Sequence, residues 1–68
     1  MKHAQQDYRD VLKHTAQTEE VLAAQFATLA DELARQGQPR IAEFFQVASR
    51  HHKDRSIKSR ALVASLEK

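Results

Sequence analysis

The segment RQGQPR, Arg35 to Arg40, contains the only glycine and the only proline of a 68-residue chain. Gly37 suits the left-handed residue just past a helix end. Pro39, with φ already fixed near the helical value, suits the first turn of a new helix. On both sides Ala, Leu, Gln, Glu, Lys and Arg, all good helix formers, fill most positions. The stretch reads as one stop and one restart, with helix 1 over about residues 4–36, a turn at 37–38 and helix 2 over about 39–66. A connection this short makes the two helices antiparallel neighbours. The expected fold class is all-α, a single helical-hairpin domain over residues 1–68.

Working outward from the turn, the residues of helix 1 that recur with alternating spacings of four and three are Tyr8, Leu12, Thr15, Glu19, Leu22, Phe26, Leu29 and Leu33. That spacing defines one face of a helix and a heptad seam. Helix 2 repeats it as Ile41, Phe45, Ala48, His52, Arg55, Ser59, Leu62 and Leu66. Ala16, Ala23 and Ala30 form a second stripe beside the first seam, small enough to let another helix approach closely. With Val11, Val21, Phe44 and Val47 also apolar, there are more stripes than two helices can cover, and the expectation is a homodimeric, or higher, four-helix bundle.

Size points the same way. Below roughly 70–80 residues a single core rarely provides more than a few kcal/mol, so small domains need a staple or a partner. The chain has no Cys, which excludes disulfides and the common zinc-finger and iron–sulfur patterns. No apolar run approaches the ~18 residues of a membrane span, and Met1-Lys2-His3 leads into polar residues rather than a signal-peptide core. A soluble, cytoplasmic homo-oligomer with no membrane partner is expected. Charge is uneven: residues 1–36 carry four Lys/Arg against six Asp/Glu, residues 37–68 seven against three. An acidic helix folded on a basic one is electrostatically favourable, although each exposed pair adds little.

Closing the hairpin at residues 37–38 pairs positions whose numbers add to about 74, matching Leu33 with Ile41, Leu29 with Phe45, and Phe26 with Ala48. It also sets Leu22 beside His52, Glu19 beside Arg55, and Thr15 beside Ser59. Both seams become polar at the same height, and a buried charge is costly unless paired. Glu19, His52, Arg55, Thr15 and Ser59 are therefore the candidate site, read as a structural polar layer. In it Arg55 forks onto the Glu19 carboxylate and His52 completes the hydrogen bonding.

The spacing Glu19, Phe26, Ala30, Gly37, Ile41-Ala42 and Phe45 resembles one helical hairpin of a rubrerythrin-type, ferritin-like four-helix bundle, over Thr18 to Arg55. TEEVL, Thr18 to Leu22, is similar to that family's helix opening, out of register. The resemblance implies a di-iron site built from one Glu on the first helix and Glu-x-x-His on the second. Glu19 matches the first ligand, whereas the Glu-x-x-His positions fall on His52 and Arg55, and Arg is no metal ligand. A one-residue slip gives His51 and Asp54, off the apolar seam. The full ligand set is absent on either register, so oxidase, peroxidase and iron-storage chemistry are not expected.

The expected function is a non-catalytic, self-associating helical-hairpin module needing no cofactor. The alternative is a metal-binding protein, Fe or Zn, using Glu19 and His52 from two chains, with His51 and Asp54 as further donors. A third reading presents the basic second helix (Arg50, Lys53, Arg55, Lys58, Arg60) to nucleic acid or an acidic protein partner. Those charges are spread around the helix without interleaved aromatics, which disfavours nucleic acid. No Gly-rich phosphate loop, Ser/His/Asp order or Cys/His pair is present.

Overall fold

The computed structural model describes the backbone of residues 2–67 and the side chains of residues 7–67. Two helices, α1 (Lys2–Arg35) and α2 (Pro39–Leu66), form an antiparallel hairpin about 54 Å long. The connection behaves as its chemistry requires. Gly37 has φ +77°, its N–H reaches the Ala34 carbonyl (3.1 Å), and the Gln38 N–H reaches the Leu33 carbonyl (2.9 Å). These two bonds are the Schellman motif that satisfies the last carbonyls of α1. A Cβ at Gly37 would meet nothing within 4 Å, so glycine is needed there for φ and not for space. Gln38 provides the N-cap of α2 through its backbone, accepting from Ala42 N–H (3.0 Å), and Pro39 follows in the first turn.

The register differs from the one expected. The tightest seam joins two stripes of small residues, Ala16, Ala23 and Ala30 on α1 against Ala42, Ser49 and Ser56 on α2, continued by Val63; all but the half-buried Ser49 are buried. Ser49 Oγ donates to the Ala23 carbonyl over 2.7 Å, which sets facing positions at numbers adding to about 72 rather than 74. The alanine stripe is thus used within the chain and not held for another helix. The physical reason lies in α2, whose matching heptad stripe is also small. Small-on-small contact brings the backbones close enough for a serine to bond directly to the opposite helix.

The seam residues expected to face each other across the hairpin instead lie together on one side of it. Leu12, Glu19, Phe26 and Leu33 flank the alanine stripe of α1, and Phe45, His52, Ser59 and Leu66 flank the small stripe of α2 on the same side, half-buried except for Glu19, which is buried. Phe26 packs against Phe45 (ring centroids 5.6 Å) and stacks on His52 (5.4 Å). Farther out on this side, Leu29, Ile41, Leu62 and Tyr8 are each at least 40% exposed. The opposite side carries ion pairs, with Ile57 the exposed large apolar residue beside them: Arg60 grips Glu20 with two hydrogen bonds (2.5 and 2.7 Å), and Lys13 lies 3.7 Å from Glu67. Among the described residues no large side chain is fully buried. A buried methyl contributes about 0.8 kcal/mol, so the alanine seam fixes helix spacing more than it supplies apolar burial.

Candidate functional site

Glu19 sits one heptad before Phe26 on α1, so the helix repeat carries its carboxylate to the same flank as the aromatic ring, toward α2. His52 sits one heptad after Phe45 on α2 and arrives opposite. The His52 Nδ1–H donates to Glu19 Oε2, and Arg55 Nε lies 3.3 Å from Glu19 Oε1. Both carboxylate oxygens are thus engaged from α2. Phe26 closes the turn-side of the pair by stacking on the imidazole.

The side chains differ in depth. Glu19 is 11% exposed and His52 22%, whereas Arg55 is 58% exposed. Within one hairpin Arg55 therefore lies over the rim of the cluster, reaching in with one nitrogen, and the expected fork is a single contact. His52, not Arg55, is the principal partner of Glu19. The carboxyl of Glu19 is held below its ordinary value first by the hydrogen bond from His52, against the opposing effect of desolvation, and further by the charges of Arg55, His52 and His51. Glu20, on the polar side, is lowered chiefly by its hydrogen bond from Arg60.

Thr15 and Ser59 are both half-buried on the Glu19 side, farther from the hairpin turn, Thr15 one helical turn beyond Glu19 and Ser59 two beyond His52. Sequence reasoning had no signal for Ser56, which is 3% exposed beside them and turns its hydroxyl back to the Lys53 carbonyl (2.7 Å). His51 is exposed, its ring edge-on to His52 at 5.9 Å, and Asp54 is exposed one turn on. Among the described residues no group of three or more His, Cys, Asp or Glu side chains is placed so that it could hold a metal ion. One chain offers a metal one carboxylate and one imidazole, bonded to each other and capped by a guanidinium. That set does not fit a di-iron or zinc centre, which needs three or four protein donors. In the basic cluster, Arg55 and Arg60 each face a carboxylate of α1. No helix of the described residues is long and apolar enough to cross a membrane.

Compared with protein-family models, with curated proteins and with solved structures, the chain matches none, so the rubrerythrin-type likeness rests on residue spacing alone.

Proposed function

We propose that this chain is a non-catalytic assembly module whose partner is a second copy of itself, the two hairpins packing apolar face on apolar face into a four-helix bundle of ferritin-like type. One observation carries the reading: the hairpin buries small residues at its seam and leaves Leu29, Ile41, Leu62 and Tyr8 exposed along the Glu19 side, while Val21, Val47 and Ile57 are exposed singly elsewhere. A face 54 Å long and 14 Å wide amounts to roughly 750 Å² per copy, close to the ~800 Å² per partner of a standard interface. The opposite side, covered by the Glu20–Arg60 and Lys13–Glu67 pairs, suits solvent.

In the bundle the Glu19, His52 and Arg55 cluster lies in the interface, flanked by Thr15 and Ser59. A polar layer of this kind sets register and excludes shifted pairings, at some cost in stability. Arg55, at the rim of one hairpin, gains burial from the second.

The test is thermal unfolding followed by circular dichroism over a hundredfold range of protein concentration. Stability that depends on association makes the midpoint rise with concentration. A cooperative midpoint independent of concentration would overturn the proposal.

A further inference from the structure

Side chains on the Glu19 face change in size along the hairpin: aromatic at Phe26 and Phe45 toward the turn, small at Thr15 and Ser59, and large again at Leu12, Leu62 and Leu66 toward the open end. With the register set by Ser49 and Ala23 and 1.5 Å per residue, Phe26 and Phe45 lie about 14 Å from the turn, Glu19 and His52 about 25 Å, and Thr15 and Ser59 about 33 Å. The polar pair therefore falls at the midpoint of a rod 54 Å long. Two hairpins can meet on this face with their turns at the same end or at opposite ends, and the contrast between the phenylalanine layer and the Thr15–Ser59 layer separates the two.

With the turns at the same end, each layer meets its own copy. Four phenylalanine rings crowd one layer, and two threonines and two serines leave another underfilled; overpacking and voids both destabilise a core. With the turns at opposite ends, Phe26 and Phe45 of one copy meet Ser59 and Leu12 of the other, and Leu29 meets Leu62. The Glu19–His52 pair still meets itself, because it sits at the midpoint. Charge favours the same choice: residues 26–46 at the turn carry two Lys/Arg against three Asp/Glu, while residues 7–18 and 57–67 toward the open end carry four against three. Opposite ends bring unlike net charges together.

We infer that the second copy docks head to tail, its turn over the open end of the first, with a two-fold axis crossing the bundle at the Glu19–His52 pair. This rests on the self-association proposed above. The chain has no Cys, so Gln36→Cys places one nitroxide label on the exposed turn, and dipolar electron paramagnetic resonance reads the distance between copies. Head-to-tail docking places the labels about 50 Å apart. A separation of about 10–20 Å, the spacing of adjacent helices plus the label arms, would overturn the orientation while leaving self-association standing. Absence of any dipolar signal from protein that sediments as a single helical chain would overturn self-association itself, and the orientation with it.

Discussion

Glu19 and His52 are joined across the hairpin, carboxylate to Nδ1–H, on the side of the molecule that also carries exposed Leu29, Ile41, Leu62 and Tyr8. The Glu19 side chain is only 11% exposed there, so its carboxylate depends on His52 and Arg55 in place of water. At the centre of an interface the pair has a purpose, because any shifted pairing would leave the carboxylate against leucine or phenylalanine.

The pair makes stability pH-dependent in a defined direction. The carboxyls of Glu19 and Glu20 are both lowered in the folded chain from an ordinary value of 4.5. A carboxyl lowered on folding stabilises the fold above its unfolded pKa, and that stabilisation is lost as pH falls through the folded one. The contribution of these two carboxyls to the urea midpoint should therefore be lost as the solution is acidified below about pH 5. Glu19→Gln should lower the neutral-pH midpoint and flatten the acid limb; an unchanged limb would show that Glu19 gains nothing from His52.

His52→Ala should lower the unfolding midpoint more than Arg55→Ala does. His52 is 22% exposed and makes the hydrogen bond, whereas Arg55 is 58% exposed and makes one longer contact. Urea titration of both variants at equal, low concentration checks the order, and the reverse order would place Arg55 at the centre of the cluster.

Gly37→Ala should destabilise by about 1–2 kcal/mol, the cost of a left-handed conformation for a residue with a Cβ. Because nothing surrounds the site, the loss should come from φ +77° alone. Gly37→Asn should therefore lose less, since Asn tolerates that region. Denaturant unfolding of the two variants tests the order.

Ala30 is fully buried opposite Ala42, in the layer of the small seam nearest the turn. Ala30→Leu should cost about 1–3 kcal/mol by forcing the helices apart, although leucine is nearly as good a helix former as alanine. If Ala30→Leu were neutral in the same titration, the small stripes would not be the seam. Ala24→Leu on the exposed side of α1 is the control and should lie within about 0.5 kcal/mol of the parent.

Added Zn²⁺ should leave the unfolding midpoint unchanged, because each chain offers two donors that are already bonded to each other. A rise in the midpoint with about one Zn²⁺ per two chains, abolished by Glu19→Ala, would instead assign the Glu19 and His52 side chains of two copies to a shared metal.

The turn, both helices and the clustering of Glu19 with His52 and Arg55 were legible because each depends on spacing along one helix or on the special chemistry of Gly37 and Pro39. The partner of the alanine stripe was not. Ser49 and Ser56 count as polar in a sequence, yet each returns its hydroxyl to a backbone carbonyl, Ala23 for one and Lys53 for the other. So satisfied, they pack as small residues, and the stripe Ala42, Ser49, Ser56, Val63 becomes visible only once those bonds are seen. The shift in register from 74 to about 72 follows, since the closest-packing stripes decide it and the larger side chains are turned to one side.

Whether the hairpin completes its core with a second copy of itself is decided by sedimentation equilibrium at micromolar concentration. A helical species of twice the 7.8 kDa chain mass, reduced to the single-chain mass by Leu29→Lys with Leu62→Lys on the apolar face, is the predicted result. A fully helical species at the single-chain mass before any substitution would contradict it.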